Sequence, residues 1–398
     1  MRLLFLFISN IASFISAFGI SLFTDLVCTD SETSNYFLLL SFASPLASIK
    51  TNTQYISTLK SFSGSFRLLQ KLEIFIVLAI FIYFTIRSRS NISYAIAMSS
   101  TCYLFSMSLS IVMTKLSLLS SLRDDLRGPA MTIKANVLRL LTFAIALLLI
   151  PQFETSNENE IGRPIMSIVI ASVSLLVFFF VFLKKEILPS NLNKTNITIS
   201  NENQILLIQL VISVSMASWT SLDRWILGLS NVSPEILTST SWNQTAAIAF
   251  SSICFSSLYK YTKPKRHVKV GKYKLSSPSF FYLAFFGILI VTLLLLNALL
   301  LIPLFNRLFM VDGNNILGVV LVGIFFQRAG IYIVYQEKSI KINILQASLM
   351  ILFVIASIIS FLFLVLDNIL YAEMSITILS ILWFLGLVSM KYMRKQNA

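Results

Sequence analysis

Apolar residues in this chain run in long unbroken blocks rather than in alternation, and the blocks recur along its whole length. Twelve stretches of spanning length follow one another near residues 3–27, 35–59, 72–86, 92–119, 130–151, 164–183, 204–229, 235–259, 278–302, 314–334, 342–366 and 370–390. A membrane helix needs about 20 such residues, and lipid offers no partner to an unpaired backbone group, so each block predicts a helix. The blocks are too long and too continuously apolar for the strands of a membrane barrel. The second and eighth stand apart, because both are rich in Ser, Thr, Asn and Gln. The expected fold class is all-α, a polytopic membrane protein with about twelve transmembrane helices.

Composition excludes the soluble alternatives. Of 398 residues, 56% are apolar and 12% charged, about half the charged share of a soluble domain. The polar stretches between blocks are too short to build a domain with its own core. Leu3 to Val27 is too long for the apolar region of a signal peptide and has no small-x-small cleavage site before Cys28, so it reads as the first span. Cys28, Cys102 and Cys254 stand singly without CxxC spacing, which indicates neither a metal site nor a redox site and no cofactor.

Charge then sorts the loops. If the N-terminus is cytoplasmic, the inner loops collect Lys60, Arg67 and Lys71; Arg123, Arg127, Lys134 and Arg139; and Lys184, Lys185 and Lys194. They continue with the run Lys260 to Lys274, with Lys338 and Lys341, and with the tail Lys391, Arg394 and Lys395. The outer loops hold Arg87, Arg89, Arg163 and Arg307 and are otherwise neutral or acidic, with Asp25, Asp30, Glu32, Glu154, Glu158, Glu160, Asp367 and Glu373. This asymmetry predicts N-in, C-in and a multi-pass protein of the cytoplasmic (inner) membrane. It also accounts for most of the net charge of +14 without nucleic acid as a partner. The run KYTKPKRHVKVGKYK lies directly under two spans and suits anionic headgroups. His267, the single histidine, sits in that run, solvated and poorly placed for proton relay.

The polar connector from Lys184 to Asn203 divides the spans six and six. The domains expected are a bundle over 1–183, a cytoplasmic connector over 184–203 and a bundle over 204–398. Two copies with an even number of spans share one orientation, so the repeat is parallel. FTDLVCTDSETSNYFLLLSFASPLASIKTNTQYISTLK at Phe23 and SLDRWILGLSNVSPEILTSTSWNQTAAIAFSSICFSSLYK at Ser221 follow one plan: an aspartate at the outer end of a span, a short polar loop, a Ser/Thr/Asn-rich span and a basic exit.

The polar residues within spans fall on stripes. Ser41, Ser44, Ser48, Asn52 and Tyr55 recur at steps of three or four, with Lys50 and Gln54 beside them. Ser241, Gln244, Thr245, Ser252 and Ser256 do the same in the eighth span beside Asn243, and Gln209, Ser213 and Thr220 in the seventh. Single serines commonly bond between packed helices; whole stripes with amides and a lysine point to a wet cavity. Lys50 lies roughly 22 Å into its span, and Arg328 is similarly deep. A mid-membrane cation is costly and needs water, a partner or an anionic ligand. Asp223 and Arg224 lie near the outer end of the seventh span, where they can solvate each other. The candidate substrate-binding residues are thus Lys50, Asn52, Gln209, Ser213, Thr220, Asp223, Arg224, Asn243, Gln244 and Arg328.

Enzymatic motifs are missing. Gly318 and Gly323 have phosphate-loop spacing, but Ile324 follows where Lys is needed. Asp124 and Asp125 lack the second acidic cluster that magnesium-dependent prenyl transfer wants, and the outer loops are too short for a glycan polymerase or glycosyltransferase. The expectation is a non-enzyme.

The twelve spans, the two six-span halves, the stretch SLDRWILGLSNVSPE, the basic loop after span 8 and SLRDDLRGPAMTIKANVLRLL entering span 5 resemble the polysaccharide flippases. These are the O-antigen and capsule translocases of the multidrug/oligosaccharidyl-lipid/polysaccharide exporter superfamily. The chain departs from them in its scarcity of Gly and in having Ser34 and Asn35 near the start of span 2. The resemblance implies translocation of a polyprenyl-diphosphate-linked oligosaccharide by alternating access. The partners it implies are that lipid-linked substrate, anionic lipids at the inner face and other polysaccharide-assembly membrane proteins. A drug exporter of the same superfamily is the alternative; a cationic drug would call for an acid within the membrane, and no Asp or Glu occupies a midplane position in the sequence reading.

Overall fold

The computed structural model describes residues 2–58, 63–89, 91–122, 127–151, 162–184, 208, 211–230, 232–262, 267–270, 273–299, 302, 309–311, 314–337, 339–365 and 368–396. Each predicted block carries helix. In chain order these are α1 (Arg2–Val27), α2 (Asp30–Thr58), α3 (Ser63–Arg87), α4 (Ile92–Leu122), α5 (Arg127–Leu149) and α6 (Arg163–Phe178), which runs into a π-helical turn at Phe179–Leu183. The seventh block is broken into α7 (211–219) and α8 (Leu222–Leu229). Then come α9 (Pro234–Thr262), α10 (Ser277–Leu299), α11 (Leu317–Gln336), α12 (Ile340–Leu364) and α13 (Ile369–Gln396). The two polar helices of the proposed repeat, α2 and α9, are both 29 residues long.

Two short hairpins add to the helical fold. β1 (His267–Val270) pairs antiparallel with β2 (Tyr273–Ser276) within the basic run, and β3 (Met310–Val311) with β4 (Asn314–Asn315) before α11. Of the lysines of that run, Lys269 and Lys274 lie on these strands, directly opposite each other in the register.

Among the described residues, seven helical segments are long and apolar enough to cross a membrane by length and composition, namely those of α4, α5, α6, α10, α11, α12 and α13. α2 and α9 fall outside that set because their polar residues, the ones singled out above, dilute the apolar run.

The described chain forms two compact units, Ile11–Thr238 and Ser239–Ala398 together with Leu3–Asn10. They divide inside α9, whereas the connector at 184–203 divides the spans by number; residues 185–203 of it lie outside the described residues. In the first unit α2 packs along α4, α5 along α6, and α8 against α2 and α3. Pro45 inside α2 lacks the N–H that would bond the Ser41 carbonyl. Side chains of α4 reach the backbone on either side of that point: Ser106 Oγ donates to the Ala43 carbonyl at 3.1 Å and Cys102 Sγ lies 3.9 Å from the Leu39 carbonyl. In the second unit α11 is the most enclosed span, packed against α13, and α12 lies at the periphery. Glu373, read as an outer-loop acid, sits inside α13 and is buried.

Candidate functional site

At the start of α2, Thr29 and Glu32 form a reciprocal cap: the Thr29 amide donates to Glu32 Oε2 at 3.1 Å and the Glu32 amide to Thr29 Oγ1 at 3.3 Å. The same carboxylate reaches α6, accepting from the Arg163 amide at 3.1 Å and pairing with its guanidinium at 3.3 Å. Arg163 Nη2 also donates to the Val27 carbonyl at the end of α1, so one arginine ties three helix ends. Gly162 permits the approach, since a Cβ there would stand 2.8 Å from Glu32 Cγ. Burial pushes the Glu32 carboxyl up, but the hydrogen bonds from Arg163 and the Thr29 amide outweigh it and hold the group below the usual carboxylate range. Beside it the Cys28 thiol is pushed up to about 12, by burial first and then by the Glu32 carboxylate.

The stretch DRWILG forms α8, and its side chains dock it onto α2 and α3. Trp225 stacks on Phe42 with ring centroids 4.9 Å apart and planes 6° from parallel, while its Nε1 donates to Ser41 Oγ at 2.9 Å. Tyr83 Oη donates to the Trp225 carbonyl at 2.9 Å, and Arg87 donates both to the Gly228 carbonyl and to Asn35 Oδ1. The break between α7 and α8 leaves carbonyls without helical donors. Arg224 Nη2 meets one, donating to the Thr220 carbonyl and to Ser221 Oγ at 3.1 Å each. Asp223 and Arg224 are both buried.

Deeper in the same unit lies a cation that sequence reasoning assigned to an inner loop. Arg139 is twelve residues into α5 from Arg127, roughly 18 Å along the helix. It is 8% exposed and its guanidinium carbon lies 5.2 Å from the centroid of the Phe105 ring of α4. Placing such a charge at mid-span costs about 2.5–3.5 kcal/mol on the lenient insertion scale. One turn away, Asn136 is held by α1: its Nδ2 donates to Ser13 Oγ at 2.9 Å and its carbonyl accepts from Ser16 Oγ at 3.1 Å. Tyr36 of α2 shares a hydrogen bond with Ser21 of α1 at 3.1 Å.

In the second unit, Arg328 of α11 is half-buried and donates from Nη2 to Ser252 Oγ of α9 at 3.1 Å, which unites a predicted cation with a predicted stripe. Asn243 is fully buried, its Nδ2 donating to the carbonyls of Ser239 and Phe309. Gln244 is also buried, and its Oε1 meets no donor among the described residues.

The predicted site residues thus fall in two sets. Ser213, half-buried, belongs to the first unit with Thr220, Asp223 and Arg224; Asn243, Gln244 and Arg328 belong to the second. Thr220 Oγ1 is occupied by the Ala217 carbonyl. Gln209 lies outside the described residues, as do the side chains of Lys50, Asn52, Ser48, Gln54 and Tyr55. Of the span-2 stripe, Ser41 is buried against Trp225 and Ser44 is exposed. Sequence reasoning missed Arg139, Asn136 and a buried stripe in α4 made of Ser99, Ser106, Ser110 and Thr114. The α4 stripe was readable from its steps of seven, four and four. Arg139 was hidden by the charge-sorting argument, which counted it with the loop before it.

No protein-family model matches the chain, and no curated protein does. Solved structures do match. A MOP superfamily transporter from Pyrococcus furiosus aligns at TM-score 0.49 and 11% identity over 99% of this chain and 95% of that one. An inward-facing multidrug resistance MATE family transporter of the MOP superfamily aligns at TM-score 0.42 and 10% identity, over 97% and 95%. An outward-facing multidrug resistance MATE family transporter of the same superfamily aligns at TM-score 0.51 and 11% identity, over 100% of this chain and 96% of that one. The alignment with this last transporter runs over the length of both chains, and the likeness is one of a helical membrane fold.

Proposed function

We propose that this protein is a membrane transporter that moves a polyprenyl-diphosphate-linked oligosaccharide repeat unit from the inner to the outer leaflet of the cytoplasmic membrane by alternating access. The observation that carries the reading is the sign of the charge inside the spans. Arg139 and Arg328 lie well within α5 and α11, whereas the buried acids Asp223 and Glu373 stand in the first turn of α8, next to Arg224, and near the start of α13. A cation so placed favours an anionic ligand, and a diphosphate bearing sugars needs both cations and the hydroxyl and amide groups that α2, α4 and α9 carry. Fold likeness to an outward-facing transporter supports transport over catalysis. The partners of this reading are the lipid-linked substrate, anionic lipids gathered by the basic inner loops and other membrane proteins of polysaccharide assembly.

A second reading, export of small drugs, is favoured by the multidrug resistance named for the outward-facing MATE transporter whose fold the chain resembles. Deletion of the gene separates the two. Loss of surface polysaccharide with lipid-linked repeat units accumulating on the cytoplasmic side, and unchanged drug susceptibility, is the outcome expected here. Normal surface glycan together with heightened sensitivity to cationic dyes would favour the drug exporter.

A further inference from the structure

We infer that the cleft where α11 meets α12 and α13 binds a phosphoethanolamine group, with Gln346 accepting from its ammonium and Lys391 pairing with its phosphate. The site lies beyond the substrate proposed above and does not rest on it.

Side chains from three spans line this cleft of about 30 Å³: Gln336 and Glu337 close α11, Gln346 lies in α12 and Lys391 in α13. Gln346 is 2% exposed, and its Oε1 accepts no hydrogen bond among the described residues. Native proteins satisfy buried polar atoms, so this oxygen calls for a donor from outside the chain. Lys391 is tied to the end of α11, its Nζ donating to Gln336 Oε1 at 2.9 Å. Glu337 Oε1 accepts from the Ser339 amide at 2.8 Å. An ammonium donates three hydrogen bonds and a carboxylate accepts about four, so both side chains can take a ligand alongside these bonds.

The cleft thus sets a carboxylate and an ammonium beside an amide oxygen that needs a donor. Its complement carries both charges a short distance apart, with N–H groups on the positive end. A bare anion faces Glu337 and leaves Gln346 Oε1 unmet; a bare cation is repelled by Lys391. Phosphoethanolamine supplies an ammonium and a phosphate two carbons apart. Phosphocholine has the same charges but no N–H to donate, and a phosphoglycerol group brings net negative charge to a cleft that already holds a carboxylate. Size agrees with this assignment. A water-sized group needs roughly 10–15 Å³, so the cleft of about 30 Å³ admits the ammonium end and leaves the phosphate at its mouth.

The cleft lies where a lipid presents its headgroup. α11 ends at Gln336 and α12 begins at Ile340, so two spans turn there at the membrane surface. Charge sorting makes that surface the inner one. Gln346 lies roughly 9 Å along α12 from Ile340. Beside it on the same helix Ile344 and Leu345 are exposed, an apolar side for acyl chains.

Native mass spectrometry of the purified full-length chain in detergent, with defined dioleoyl lipids added, tests the site. Phosphatidylethanolamine is expected to bind about tenfold more tightly than phosphatidylcholine, or about 1.4 kcal/mol, and more tightly than phosphatidylglycerol. Its N-methyl and N,N-dimethyl forms should fall between, in the order of their remaining N–H groups. Gln346→Leu is expected to abolish the preference for phosphatidylethanolamine over phosphatidylcholine, and Gln346→Glu, which keeps an acceptor, to retain it. Lys391→Met is expected to weaken phosphatidylethanolamine about tenfold.

Soluble O-phosphoethanolamine separates the two sources of the group. Displacement of the lipid at comparable concentration identifies the free compound as the ligand; no displacement identifies the lipid, and the site stands in either case. Equal binding across the methyl series by the unaltered chain means that water alone fills the cleft and overturns the inference. That series needs no variant, so it decides even where Gln346→Leu does not fold. Tighter binding of phosphatidylglycerol, or a preference that Gln346→Leu leaves intact, overturns it as well.

Discussion

Glu32 and Arg163 show how one residue pair binds separate helix ends. Because Arg163 and the Thr29 amide hold the Glu32 carboxyl below its usual range, the pair stabilises the fold fully above the pKa of an unfolded glutamate, about 4.3. That stability is lost as pH falls through the lowered folded value. Glu32→Gln keeps a polar side chain but loses the charge-assisted bonds, and should cost about 1–2 kcal/mol at pH 7. The melting temperature of the variant, followed from pH 7 to pH 3, should start lower and decline less than that of the unaltered protein; parallel curves would show that the pair contributes nothing. Glu32 and Arg163 were legible in the sequence only as two outer-loop charges. Their pairing depends on a close approach across 131 positions, which no local pattern encodes.

The helices themselves were legible because a span must satisfy its own backbone and bury or expose apolar side chains over a fixed length. What the hydrophobic pattern could not show is the break at Thr220 and Ser221, since neither residue ends an apolar run. The break frees α8 to dock on α2 and α3, and the stretch DRWILG that carries the family resemblance supplies the docking contacts. Gly228 is the tightest of these: a Cβ there would overlap Tyr83 Oη and stand 2.9 Å from Leu38 Cδ1. Gly228→Ala should therefore cost about 1–3 kcal/mol by overpacking. Trp225→Phe keeps the stack on Phe42 and loses only the bond to Ser41, about 0.5–1.5 kcal/mol, whereas Trp225→Ala loses both. Thermal unfolding in detergent should rank Trp225→Phe above Trp225→Ala; the reverse order would mean that the stack does not hold α8 in place.

At the scale of the whole molecule the arrangement in the membrane rests on charge. The inner loops of the N-in orientation hold nearly all the loop lysines, and a phosphate-bearing lipid would concentrate at that face by an attraction that fades within a Debye length. Labelling of single added cysteines by a membrane-impermeant maleimide in sealed cells reads the orientation directly. The native thiols leave a low background: Cys102 and Cys254 are buried, and Cys28, with its pKa pushed up to about 12, presents at pH 7 a thiolate fraction on the order of 10⁻⁵, the form that reacts. Glu373, an outer-loop marker by sequence, is unsuitable because it is buried, so Asn157 serves for the outer face. Val268, in the hairpin β1–β2 among the lysines, serves for the inner face. Asn157→Cys should label in intact cells and Val268→Cys only after the membrane is opened. Labelling of Val268→Cys in sealed cells would invert the orientation, put the basic run outside, and remove the electrostatic reason for loading an anionic lipid from the cytoplasmic leaflet.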